Sequence, residues 1–236
     1  MFFNKRKRNI KMKIRKPIVI VNFKNYLQGT GKRALTLSKI AEAVSIESGI
    51  YIGVAPQYTD ITTIVRNVSI PVFAQHIDPI SPGSHTGHIL PEAIKESGAV
   101  GTLINHSERK LPLEDVQSIV KRTKELELIS VVCANTPKVA AKVASFKPDI
   151  VAIEPPELIG TGIPVSQAKP EVVTDTVSLV RKVNSTITIL CGAGITKGTD
   201  VSAALNLGTE GILIASGIVK ARDTRKALLE IVKAMR

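Results

Sequence analysis

The 236 residues hold 44% hydrophobic and 22% charged side chains, proportions of a water-soluble globular chain that exclude the collagen-like, low-complexity and disordered classes. With no Trp, three Tyr and five Phe, the core must be aliphatic, and few rings remain to stack on bases or sugars. The net charge of +12 is uneven, because residues 1–16 carry eight of the 32 basic residues and no acidic one, leaving only +4 for positions 17–236.

In chain order, residues 1–16 read as a basic, disordered extension. They lack aromatic interleaving beyond Phe2 and Phe3 and any groove-reading motif, so nucleic acid is not the expected partner. Met12 offers a second start within this stretch. No apolar run reaches the roughly 18 residues of a membrane span, and no apolar stretch of a signal peptide follows the basic start, so a cytoplasmic protein is expected.

From residue 17 onward, short β-branched runs alternate with longer amphipathic stretches. Eight strands are predicted, at 17–22, 50–55, 71–75, 99–105, 129–134, 149–154, 186–192 and 211–216. Most are continuous apolar runs, as strands buried on both faces of a parallel sheet require. Helical stripes lie between them: Leu37, Ile40, Ala41 and Val44 recur at i, i+3, i+4 and i+7, as do Leu228, Ile231, Val232 and Met235. Pro112 and Pro170 sit near helix starts, and Glu114 and Asp115 suit a helix N-terminus. Eight βα units of about 30 residues each fill positions 17–236 as a single α/β domain, a closed (β/α)8 barrel. An open doubly wound sheet would call for GxGxxG after the first strand, and that is missing.

Cys133 and Cys191 lack CxxC or Cys/His spacing and read as small strand residues rather than zinc ligands or a disulfide. His85 and His88 lie in a Gly/Pro-rich loop without nearby carboxylates, and His76 and His106 are far apart, so no metal is expected.

A barrel places functional residues at the C-terminal ends of its strands. There the sequence holds Asn22-Phe23-Lys24-Asn25 after strand one, Asn105-His106-Ser107-Glu108-Arg109 after strand four and Glu154-Pro155-Pro156 after strand six. Gly192-Ala193-Gly194 and Ala215-Ser216-Gly217 follow strands seven and eight, where glycines and helix N-termini let amides approach a phosphate. Each residue alone is weak evidence, since a strand-end Lys or Glu is more often a solvated surface group. The segment EPPELIGTGIPVS (154–166) has prolines at its entry and Gly160-Thr161-Gly162 at its exit, before a helix expected near Ser166. That pattern is a hinged lid able to exclude water from a ligand, or else an ordinary long βα loop.

NFKNY, NHSER, IEPPELIGTG and the ASG turn, in this order after strands one, four, six and eight, resemble the triosephosphate isomerase family over positions 17–236. The similarity is greatest to its archaeal branch, whose members are shorter and tetrameric. The resemblance implies isomerisation of dihydroxyacetone phosphate and D-glyceraldehyde 3-phosphate through an enediolate, in glycolysis and gluconeogenesis, without metal or organic cofactor. It puts the catalytic base at Glu154, a neutral electrophilic imidazole at His106 and the substrate-binding, electrostatic lysine at Lys24. Asn22 would help to hold the substrate, Glu108 would stand near the lysine, and backbone amides of Ile159, Gly160, Gly194, Ala215 and Ser216 would hold the phosphate. Two positions depart from the family: Leu158 or its neighbours replace a lid Trp, and Gly194 stands where many members carry Ser. The loop SPGSHTGH (81–88) resembles the family's protruding interface loop, which implies a homo-oligomer, a tetramer by resemblance to the archaeal members.

Two other readings compete. A barrel aldolase would use Lys24 as a Schiff-base nucleophile, although a lidded glutamate after strand six fits that poorly. An RNA-binding role led by the basic extension would add to the barrel rather than replace it.

Overall fold

The continuous apolar runs form strands because every one of their residues finds a partner on one face or the other. The computed structural model describes residues 14–155 and 168–236. Its strands are β1 (Ile18–Asn22), β2 (Tyr51–Ala55), β3 (Phe73–Ala74), β4 (Gly101–Ile104), β5 (Ile129–Ala134), β6 (Ile150–Ile153), β7 (Thr188–Cys191) and β8 (Gly211–Ile214). All pairings are parallel, in the order β2-β1-β8-β7-β6-β5-β4-β3, with Ile18 opposite Gly211, Gly101 opposite Ile129 and Ala152 opposite Leu190. A parallel bridge between Val54 and Val72 joins β2 to the start of the third strand and closes the ring, with the Val54 N–H donating to Pro71 O at 2.9 Å. The result is a single (β/α)8 barrel.

The helices of the described residues are α1 (Lys32–Ser48), α2 (Tyr58–Val65), α3 (Pro91–Glu96), α4 (Leu113–Glu125), α5 (Pro137–Ala144), α6 (Pro170–Val183), α7 (Gly198–Asn206), α8 (Ser216–Val219) and α9 (Thr224–Lys233), with a 3-10 turn at Leu27–Gly29. Proline opens three of them, Pro91, Pro137 and Pro170, where a missing amide costs nothing. Pro112 stands just ahead of α4, whose first turn carries Glu114 and Asp115. Leu37, Ala41 and Val44 of α1 are buried against the sheet, as are Leu228, Ile231 and Val232 of α9 and Met235 just beyond it.

Side chains alternate along each strand between two concentric cores. Ile18 and Ile20 of β1, Ile129, Val131 and Cys133 of β5, and Leu190 of β7 belong to an inner cluster inside the ring. Val19 and Val21, Val132 and Ala134, and Ile189 and Cys191 belong to the outer cluster beneath the helices. Both cysteines are buried and free. Within the basic stretch 1–16, Ile14 packs on the inner cluster and Lys16 donates to Glu210 Oε1 at 2.7 Å; residues 1–13 lie outside the described residues. No helix among the described residues is long and apolar enough to cross a membrane.

Candidate active site

At the C-terminal end of β1 the chain turns sharply. Lys24 has φ +46°, a left-handed conformation that costs a residue with a side chain about 1–3 kcal/mol. Two neighbouring side chains hold it there. Asn22 Oδ1 accepts from the Lys24 N–H at 2.9 Å, and Gln75, one residue past β3, donates from Nε2 to Lys24 O at 2.9 Å and to Ala55 O at 3.0 Å. The lysine side chain is largely buried, and its Nζ meets Glu108 Oε1 at 2.8 Å.

The end of β4 is shaped in the same way. Asn105, also left-handed at φ +59°, donates from Nδ2 to Cys133 O at 3.0 Å and accepts from the Leu111 N–H at 2.9 Å. The His106 ring that follows is buried. Its Nδ1 lies 3.2 Å from the backbone N of Glu108, which can only donate, so Nδ1 must offer its lone pair and the ring proton sits on Nε2. Glu108 Oε2 is 3.7 Å from the same nitrogen, too far for a hydrogen bond to reverse that assignment.

Glu154 follows β6 directly, 3% exposed, with Oε1 3.5 Å from His106 Nε2. Its Oε2 accepts no hydrogen bond among the described residues. Burial pushes the carboxyl above its usual range, and the nearby His106, the Cys133 thiol and Lys24 only partly reverse that, while Glu108 adds to the rise. Gly192, past β7, is what lets the carboxylate lie here: a Cβ on it would stand 2.6 Å from Glu154 Cγ.

The turns after β7 and β8 complete the mouth. Gly194 has φ +72°, and the side chain of Asp200 in α7 braces the turn beyond it by accepting from the Thr196 and Lys197 N–H groups at 2.9 and 3.1 Å. Ala215 precedes α8, and the N–H groups that open this helix have no carbonyl one turn back to bond. Asn22, Lys24, His106, Glu154, Gly194, Ala215 and Ser216 all line one cavity of about 60 Å³. It adjoins a wider one of about 650 Å³ that shares Asn22, Lys24 and His106. Seven of the nine residues expected from the sequence are thus together; Ile159 and Gly160, like Leu158 and the helix expected near Ser166, lie outside the described residues.

Three contributors were not read from the sequence. Gln75 supports the lysine turn, Cys133 lies against the Glu154 carboxyl, and Tyr26 lines the same cavity with Lys220 Nζ 4.1 Å above its ring centre. Gln75 shares one signal with the residues that were found, since it too stands immediately past a strand.

The arrangement can move a proton from carbon to a buried carboxylate while an imidazole N–H and an ammonium face the oxygen that gains charge. Fold and site together define a class, a (β/α)8 barrel with an acid–base group at the C-terminal mouth beside amides suited to an anion. Residues 17–235 match the family model of triosephosphate isomerase. The triosephosphate isomerase of Methanocaldococcus jannaschii is 56% identical over 92% of this chain and 99% of that protein. Those of Methanothermus fervidus and Methanobacterium bryantii are 53% and 54% identical, over 93% and 92% of this chain and 99% and 96% of theirs. All three relatives are archaeal. The chain belongs to the triosephosphate isomerase family.

Proposed function

We propose that the chain interconverts dihydroxyacetone phosphate and D-glyceraldehyde 3-phosphate through an enediolate, in glycolysis and gluconeogenesis in the cytoplasm. The observation that carries this reading is the pair of Glu154 Oε1 and His106 Nε2, 3.5 Å apart in one buried cavity, with the ring proton directed to Nε2 by the Glu108 amide. Glu154 takes the proton from one carbon and returns it to the next. A carboxyl raised by burial suits both halves, because its acid form is retained long enough to give the proton back. The Nε2–H of His106 and the ammonium of Lys24 stabilise the enediolate oxygens, and Asn22 orients the substrate. Backbone amides at Gly194, Ala215 and Ser216 take the phosphate from the barrel side, and the family resemblance assigns Ile159 and Gly160, outside the described residues, to the same phosphate. No cofactor has a step in this sequence.

The aldolase alternative gains nothing from the site, where Lys24 Nζ is committed to Glu108 rather than free to attack a carbonyl. Assembly into a homotetramer is part of the same reading. Residues 81–88 are exposed throughout and available to a second copy, and sedimentation analysis measures the state.

A coupled assay with glyceraldehyde 3-phosphate and no added metal tests the activity. Glu154→Gln should lower kcat by about 10²–10⁴-fold with KM little changed, since it removes a group acting only in the transition state. Turnover near that of the unaltered protein would refute the assignment.

A further inference from the structure

Beside the mouth, the segment that follows β3 and the turn that follows β4 are tied together at one carboxylate. Asp78 is 6% exposed, and both its oxygens are used. Oδ1 lies 2.9 Å from His76 Nε2 and accepts from Arg109 Nη2 at 3.1 Å, while Oδ2 accepts from the Ile89 N–H at 2.6 Å. The Asp78 N–H donates back to Ile89 O at 2.9 Å, so the residue also pinches shut the base of the loop 79–88. Burial is the largest influence on Asp78 and pushes it up, but the bonds from His76 and Ile89 and the Arg109 charge outweigh it and hold the carboxyl below its ordinary range. Burial pushes His76 down, and because the carboxylate can only accept, Nε2 carries a proton toward Asp78.

Asp78 lines neither cavity of the mouth, but Arg109, which lines the wider one with His106 and Lys24, connects it to the site. Its backbone N–H donates to His106 O at 2.8 Å and closes the turn 106–109. Within that turn the Glu108 N–H meets His106 Nδ1 at 3.2 Å and the Glu108 carboxylate meets Lys24. The turn is fastened near β4 by Asn105 on Cys133 O, and at its far end by the Arg109 guanidinium on Asp78. The Arg109 side chain is 58% exposed, so this ion pair adds little to stability. Its effect is geometric, because a buried acceptor with both oxygens engaged can occupy only one position.

We propose that Asp78 is a positioning residue for the reaction: through Arg109 it holds the turn that sets the His106 tautomer and places Glu108 against Lys24. The proposal rests on the isomerase reading of His106 and adds a residue to it.

Asp78→Asn keeps the shape and volume but turns a donor toward groups that are themselves donors. Displacement of about 1 Å at a reacting group costs up to 10²-fold in rate. The expected result is therefore a fall in kcat of about 10- to 100-fold with KM within about threefold. The ¹⁵N spectrum of the His106 ring should also change, from an acceptor-only Nδ1 to a mixture of the two tautomers. Arg109→Met should reproduce both effects from an exposed position that folding does not depend on, Arg109→Lys should restore part of the rate, and the Asp78→Asn, Arg109→Met pair should cost no more than the worse single change. An unaltered ring spectrum in Arg109→Met, unaltered turnover, or losses that multiply in the double variant would overturn the proposal. The ring spectrum reads positioning without substrate, whereas absence of turnover in the unaltered protein would count against the isomerase reading instead.

Discussion

Glu154 is buried, and among the described residues its Oε2 accepts no hydrogen bond, which suits proton transfer at the expense of the folded state. Its folded pKa is raised, with burial the leading cause, so the native protein binds this proton more tightly than the unfolded chain does. Below the unfolded value both states hold the proton and nothing is lost. As pH rises through the unfolded pKa and then the folded one, stability is progressively lost, and the deficit is complete only above the folded value. Glu154→Gln should therefore melt higher than the unaltered protein at pH 7, the difference closing as pH falls toward 4, as followed by calorimetry on both proteins across that window. A lower melting point for the variant at pH 7 would mean that the carboxylate stabilises the fold. Lys24 makes the same exchange in backbone terms, its left-handed conformation surviving because Asn22 and Gln75 hold both of its peptide groups. Both residues carry a cost, desolvation at Glu154 and a left-handed backbone at Lys24, where the proposed chemistry needs them.

At the scale of elements, the site is a product of strand ends, and Gly192 shows how closely two of them approach. Gly192→Ala puts a methyl 2.6 Å from Glu154 Cγ, and neither strand end can yield while the Gly192 N–H is bonded to Ile153 O at 3.0 Å. The carboxylate has to move instead, so kcat should fall by about 10²-fold while circular dichroism stays unchanged. Full activity in that variant would show that Glu154 is not held by this contact. Much of this was legible in the sequence, because strands buried on both faces are unbroken apolar runs and the first polar residue after each run stands at the mouth. Asn22, Asn105 and Glu154 were found in that way. The third strand was legible only in part: positions 71–75 read as one strand, but Pro71 has no N–H to donate, Val72 reaches β2 through a single bridge, and only Phe73–Ala74 form β3. The other strands are mostly trimmed by a residue or two at one or both ends. Contacts between strand ends were not legible at all. Cys133 reads as a small core residue from its own run, and only the pairing of β5 with β6 brings its thiol to the carboxyl just past the neighbouring strand. Asp78 and Arg109 lie 31 positions apart in loops of different βα units, with no periodicity to link them.

For the whole molecule, closure of the ring makes the two concentric cores respond differently to the same damage. Leu190 of β7 points into the barrel, fully buried in the inner cluster, with Ala152 opposite it on β6. Leu228 of α9 is equally buried, but in the outer cluster between helix and sheet. Removing a buried leucine side chain down to Ala costs about 2–5 kcal/mol, the upper part of the range applying where the surroundings cannot collapse into the space. Around Leu190 the wall is a ring of hydrogen-bonded strands, closed by the Val54–Val72 bridge, and shrinking it would break pairings on every side. Around Leu228 one wall is a helix, which can slide toward the sheet at little cost. Leu190→Ala should therefore be the more destabilising of the two, by about 1–2 kcal/mol. For a chain of this size that separates the melting points by roughly 2–8 °C. Denaturant unfolding of the two variants side by side measures the difference, and equal losses would show that the ring relaxes as readily as the helical layer around it.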